Sequence, residues 1–276
     1  MKQTTGKTPD VQPPKVSGRD TRKAVLERGT RPNVPLRSVF VQAPLGSASR
    51  HGRLKEFVRR SDLRALRAFL IVVACCSKEN ADGWTTTHDS AVWARLLDTG
   101  VAATDQAART AAWRTFKRLQ DDHRLVRCTR KPGSKMISVT LLREDGSGEP
   151  YTRPDGKTPA DRFINIPSTF WTSGYDEQVD VPSLALLLTV AKEKPWCELP
   201  ADKAPAWYGW SEDTHLRGLQ KLLELKLVER RAHFRVAPLS PTGSTMVYQY
   251  KLAPRMRPRR KATAAKPAIS TSPSGA

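Results

Sequence analysis

The sequence predicts a mainly helical α+β fold in which one structural plan occurs twice. Three observations carry that expectation. Two segments with regular apolar periodicity, 37–143 and 162–253, flank the Gly-, Pro- and Asp-rich stretch "EDGSGEPYTRPDGKTPAD" at 144–161. Each segment closes with a helix-period stretch followed by two alternating runs around a turn. The two closing stretches also agree in phase. Trp113, Phe116 and Leu119 match Leu216, Leu219 and Leu222, and Leu125–Val126 match Leu227–Val228 after one extra residue in the first turn.

Taken in order, residues 1–36 are rich in Pro, Thr, Gly and basic side chains without a sustained period, and read as a disordered basic arm. "RSVFVQAP" (37–44) reads as a short leading strand. "SDLRALRAFLIVVACCSK" (61–78) is a helix with Ser61 as cap; Leu63, Leu66, Leu70 and Ala74 share a face, and the apolar residues spread far enough round for burial. "SAVWARLLD" is a second helix, and Thr104 or Asp105 caps a third, "DQAARTAAWRTFKRLQDD". "LVRCTRKPGSKMISVTLL" is a hairpin about "KPGSK", with Ile137, Val139 and Leu141 alternating inward. The second segment repeats the plan: "RFINIPSTFW" as leading strand, "VPSLALLLTVAKEK" as first helix, and a short strand and Pro-bounded helix in "WCELPADKAPAWYGW". "SEDTHLRGLQKLLELKLVERR" then starts the third helix, with Ser211 placed as its cap, and a hairpin with the tip "LSPTGST" closes the segment. Helix, helix, helix and hairpin is the order of a winged helix-turn-helix. The expected fold is therefore two tandem winged helix-turn-helix domains, 37–143 and 162–253. A flexible linker (144–161) joins them, and a basic tail (254–276) follows.

Charge separates ends from body. The chain of 276 residues carries 47 Lys and Arg against 27 Asp and Glu, a formal +20, and residues 1–60 and 251–276 hold most of the excess. Such ends suit a polyanionic partner, through counterion release and phosphate contact. Four cysteines form no C-x-x-C pair and the five histidines are scattered, so neither a zinc site nor a disulfide framework is expected. The N-terminus lacks the apolar core of a signal peptide, and the longest apolar run, "AFLIVVACC", is too short for a bilayer. A cytoplasmic, nucleoid-associated protein with no membrane partner is expected.

Enzyme motifs fail on inspection. "GKT" occurs at Gly6 and Gly156, but Met1 and Tyr151 stand where a P-loop needs its first glycine. "HDS" at 88–90 is contiguous and reads as a helix start, and there is no H-E-x-x-H, G-x-S-x-G or dinucleotide glycine set. No catalytic residue, metal or cofactor is assigned. Trp207, Tyr208 and Trp210 read as core packing, and His215 as a packing residue.

The candidate contacts come from helix geometry at about 100° per residue. In the first copy Trp113, Phe116 and Leu119 face inward and Thr110, Arg114 and Arg118 outward, with Lys117 at the edge and Arg109 one turn earlier; in the second, Leu216, Leu219, Leu222 and Leu223 lie on the inward side and Thr214, Arg217 and Lys221 on the outward one. Any soluble helix exposes charge, so each stripe alone also fits a solvated face. Beside a turn and a basic hairpin, the outward face of the last helix suits a major groove, where Arg and Lys donate to guanine O6 and N7 or to phosphates. Arg130, Lys131 and Lys135 on the first hairpin suit phosphate or minor-groove contact, and the second tip offers only Ser240, Thr242 and Ser244 as phosphate partners.

With "AWYGWSEDTHLRGLQKLLELKLVERR" followed by "YQYKL", the chain resembles winged-helix DNA-binding proteins of actinobacteria and of plasmids and other mobile elements. Its two-copy layout is similar to that of plasmid replication initiators. The resemblance implies a non-enzymatic protein that binds double-stranded DNA sequence-specifically, in transcriptional control or alternatively at repeated origin sites. An interaction adaptor without sequence-specific DNA binding is the alternative of another class. The oligomeric state, monomer or homodimer, stays open.

Overall fold

A computed structural model of the chain describes residues 15–29, 31–101 and 103–258. The first element is α1 (Gly18–Glu27), started by a capping box in which the Ser17 hydroxyl accepts from the Asp20 N–H. Strand β1 (Asn33–Arg37) and helix α2 (Leu54–Arg59) follow. Then come α3 (Leu63–Cys75), β2 (Thr85–Asp89), α4 (Ser90–Leu96), α5 (Asp105–Asp121), β3 (Val126–Thr129) and β4 (Met136–Leu141). The second half runs β5 (Phe163–Pro167), α6 (Thr169–Thr172), α7 (Tyr175–Gln178), α8 (Val181–Lys192), β6 (Cys197–Glu198), α9 (Ala204–Trp207), α10 (Glu212–Glu224), β7 (Val228–Val236) and β8 (Ser244–Leu252). The chain is mixed α+β, with three small sheets among the described residues, ordered β1-β5, β2-β4-β3 and β6-β8-β7.

The repeat extends below element order. Ala112, Thr115, Phe116 and Leu119 are the buried positions along the middle of α5, and His215, Gly218, Leu219 and Leu222 occupy the same positions of α10. Each helix is followed by one left-handed residue, Arg124 or Lys226, both at φ 54°. The next leucine then donates back into the helix: Leu125 to the Leu119 carbonyl at 3.1 Å, Leu227 to Leu222 at 2.9 Å. Both hairpins return to that leucine, whose carbonyl accepts from Leu142 in one half and Ala253 in the other, each at 2.9 Å. Two details depart from the sequence reading. The cap of α3 is Asp62 rather than Ser61, because Ser61 takes φ 51° and the Asp62 carboxylate accepts from Ala65 N–H. The polar run 85–89, unassigned from sequence, forms β2 because β4 offers it an open edge.

The expected disordered arm and flexible linker both need correction. Residues 1–14 lie outside the described residues, but α1 and β1 are ordered inside the remainder of the supposed arm. Arg22, 1% exposed, anchors α1: it donates to Asp98 (2.8 Å) and the Leu96 carbonyl (3.0 Å), and pairs with Asp176 (3.1 Å) and Glu177. Arg67 joins the same acids, at 2.8 Å from Asp98 and 3.3 Å from Asp176. The leading strand is β1, antiparallel to β5 from Asn33↔Pro167 to Arg37↔Phe163, and 38–40 form a 3-10 turn where a strand was expected. Pro35 is tolerated because β1 has only one strand neighbour among the described residues.

The linker is held by Arg37. Its guanidinium is buried at 1% exposure and reaches Glu144 (2.7 Å), Asp161 (2.7 Å) and the Thr152 hydroxyl (2.8 Å), with Tyr151 stacked 5.5 Å away. Leu142 and Pro150 bridge, and Tyr151 is 3% exposed. These bonds span both ends of 144–161, so the stretch is packed and supplies no flexible tether. Further ties cross between halves: Gln42 donates to the Trp207 carbonyl (2.9 Å) and accepts from Lys192 (2.9 Å), and one apolar core runs through both halves. The supposed tail also begins ordered, because Met256 is 2% exposed under a 3-10 turn at 254–256; residues 259–276 lie outside the described residues. No described helix is long and apolar enough to cross a membrane, and no described cluster of His, Cys, Asp and Glu could hold a metal.

Two expected outcomes follow from these buried groups. Arg37→Met leaves the Glu144 carboxylate buried without its partner and should cost about 3–5 kcal/mol in urea unfolding, with Arg37→Met/Glu144→Met clearly less damaging than the single change. A double variant as unstable as the single would contradict the pairing. The second concerns His123, 1% exposed and stacked 3.9 Å over Phe57. Burial, with Arg53 and Arg60 nearby, pushes its pKa from 6.5 to about 4, against weaker opposing pulls from Asp62 and Asp122. The folded state therefore keeps His123 neutral while the unfolded chain takes up the proton. Stability should fall by roughly 2–3 kcal/mol as pH drops from 6.5 to 4. His123→Phe should flatten that part of the pH profile; an unchanged profile would remove His123 as its cause.

Candidate nucleic-acid interface

Helix α5 is placed by two aromatic residues. Trp93 of α4 donates its indole N–H to the Ile137 carbonyl (3.1 Å) and meets Phe116 edge-on at 4.7 Å, so α4, α5 and β4 share one anchor. The Ser90 N–H donates to the Lys135 carbonyl (2.8 Å), which fixes the hairpin against the start of α4. Thr104 caps α5 through the Ala107 N–H.

With α5 so held, Gln106 and Thr110 form a crest between two grooves. On one side, a groove of about 270 Å³ brings Arg109 and Trp113 against Arg130 and Lys135 of the hairpin. On the other, a groove of about 570 Å³ gathers Arg114, Arg118 and Arg64. Arg109, Arg114, Lys131 and Lys135 pair with no acid among the described residues. The Arg130 side chain donates to the Ser134 carbonyl (2.7 Å), which braces the turn. Three candidates are partly engaged. Arg118 binds Asp62, the cap of α3, at 2.9 and 3.3 Å; Lys117 pairs with Asp121 at 3.2 Å; the Thr110 hydroxyl donates to the Gln106 carbonyl. Arg118 is thus an anchor between α5 and α3 as well as a groove cation.

Helix α10 presents a different face. In the shared register, Arg109 and Thr110 of α5 correspond to Glu212 and Asp213 of α10, both exposed. Arg217 is tied to Asp213 at 3.0 Å, the Thr214 hydroxyl meets the Ser211 cap at 2.9 Å, and Lys221 is half-buried. Arg217 and Lys221 therefore stand behind an acidic first turn that would repel phosphate. Leu216, expected inward, is 57% exposed; the inward face centres on His215, Gly218, Leu219 and Leu222, and His215 meets the Leu199 carbonyl at 3.2 Å. Tyr208 and Trp210 stack at 5.1 Å within the core, as packing requires.

Sequence reasoning passed over other cations. Arg64 belongs to α3 and reaches the α5 groove only through the tertiary fold. Arg230, Arg231 and Arg235 lie on β7, whose nine residues pair with β8 in a hairpin exposed over most of its length. One linear signal pointed there: no Asp or Glu occurs from residue 230 to 276.

Gly218 explains how closely α10 approaches α8. A Cβ there would lie 2.6 Å from the Pro182 carbonyl oxygen and 2.8 Å from its carbon. Gly218→Ala should therefore destabilise the protein by about 1–3 kcal/mol despite the better helix propensity of alanine. A raised unfolding midpoint would contradict that close contact.

No family model, curated protein or solved structure matches the chain.

Proposed function

We infer that the chain is a non-enzymatic protein that binds double-stranded DNA through two winged helix-turn-helix units. The repeated order of helix, strand, two helices and hairpin supports the unit assignment. The observation that carries the DNA reading is the pair of basic grooves along α5, whose Arg109, Arg114 and Lys135 have no acidic partner among the described residues. A helix crest between two rows of cations, of which only Arg118 pairs with an acid among the described residues, suits a major groove with a phosphate backbone on either side. In this reading α5 with the β3–β4 hairpin is the principal reader, and α10 contributes less because its first turn is acidic. Transcriptional control is the purpose we assign. The packing of the halves supports a second purpose, replication initiation, since rigid units suit sites repeated at a fixed interval.

Selection from a random duplex library with the full chain tests the reading, and a single enriched motif is expected. Arg109→Ala/Arg114→Ala should weaken binding to that motif by tenfold or more, at ~1–3 kcal/mol for a base contact. Each lost phosphate contact should also flatten the log–log salt dependence by ~0.9. Arg217→Ala/Lys221→Ala should have the smaller effect. A protein that enriches no motif and binds no duplex would end the DNA reading; the reverse ranking of the two double variants would make α10 the principal reader.

A further inference from the structure

The β7–β8 hairpin projects beyond its packed base at Val228 and Tyr250. Its free part spans about seven residues per strand, roughly 20 Å at ~3.3 Å per residue. Alternation sorts the side chains. One face carries Phe234, Val236, Met246 and Tyr248, exposed at 68%, 80%, 49% and 42%. The opposite face carries Arg231, His233 and Arg235. At the apex Leu239 is fully exposed, at 102%. That apex is built stiffly. Ser240 N–H donates to the Ala237 carbonyl (2.9 Å) and Gly243 N–H to the Ser240 carbonyl (3.0 Å), giving two consecutive turns with Pro238 and Pro241 at their second positions. The hydroxyls of Ser240 and Thr242 both donate to the Ser244 carbonyl. A leucine held outward in this way is a pre-ordered apolar wedge.

We propose that this hairpin is a DNA-deforming arm that lies in a minor groove and inserts Leu239 at a base step, kinking the duplex. The proposal rests on the DNA reading above. Charge selects the occupant: no acid lies between residue 230 and the end of the chain, and on the outer strand Arg230, stacked on Tyr248, and Arg231, bonded to Gln249, pair with no acid among the described residues, while Arg235 lies 3.4 Å from Glu198 of β6. A second copy docked on this strand would set arginines against arginines, whereas a minor groove offers phosphates to the arginines and apolar sugar walls to Phe234, Val236 and Met246. Inserting an apolar side chain at a step unstacks it and bends the duplex by ~20–90°, and the bend brings more protein surface into contact. Flexible TA steps deform most readily.

The test uses the full chain and a 30-base-pair mixed-sequence duplex with donor and acceptor dyes at its ends and 2-aminopurine beside a central TA step. On binding, energy transfer and 2-aminopurine fluorescence should both rise. Leu239→Ser, at a fully exposed position, should keep affinity within about threefold yet lose most of both signals, since unstacking cost and wedge contact disappear together. Arg109→Ala/Arg114→Ala should weaken binding but keep both signals at saturating protein. Binding by the wild type without either signal would overturn the wedge and leave the DNA reading standing, as would Leu239→Ser retaining both. Failure of the wild type to bind any duplex would remove both ideas. A dimer without DNA, dissolved by Leu239→Ser in sedimentation, would reassign the apolar face to self-association.

Discussion

The buried guanidinium of Arg37 holds together parts of the chain that are far apart in sequence. It stands at the end of β1 and binds Glu144 and Asp161, at the two ends of the connecting stretch. Burial pushes the Glu144 carboxyl up, and Arg37 pulls it back. With that stretch fastened, β5 is delivered antiparallel to β1, and α8 can pack between the second hairpin and the first half. The Arg22 cluster does the same on another side, gathering Asp98 from the first half and Asp176 and Glu177 from the second. Two repeats that could have been independent are thereby one packed body.

That coupling gives the repeats room to differ. Their internal bonding is nearly superimposable at the helix–hairpin junction, where Leu125 and Leu227 each receive and return the same backbone bonds. Their surfaces diverge. The first has a short, cationic hairpin beside a helix whose Arg109 and Arg114 pair with no acid among the described residues; the second has an acidic helix start and a long, apolar-faced hairpin whose one acid, Glu229, sits at its base against Lys251. If both surfaces address one duplex, they do so with different chemistry, α5 through its helix and the second half through its hairpin.

Much of the local structure was legible. Helices with a strong apolar period, such as α3, α5 and α8, lie close to where leucine and alanine spacing put them, because burial of one face dominates their energetics. The cap at Ser211 was legible, and the cap of α5 was narrowed to Thr104 or Asp105, because a hydroxyl or carboxylate just before an apolar period accepts a free backbone N–H; the structure uses Thr104. The register of the repeat held at one residue per position, although Leu216 was assigned to the wrong side. A helix with His215 and Gly218 inward has a buried face that no hydrophobicity pattern reveals, since one packs by a hydrogen bond and the other by having no side chain.

By itself the sequence determined the α+β class, the recurring order of helices and hairpin, and the cationic bias, all of which depend on composition or on neighbours within a few turns. Tertiary structure alone decided which cations are available. Arg22 lies in the supposed arm and Arg37 at the start of the expected leading strand, yet both are buried in ion pairs, and Arg118 is shared with Asp62. Arg64, from another helix, joins the α5 groove instead. A charge is free or bound according to what folding brings within about 4 Å of it, and linear spacing reports only partners on the same helix turn.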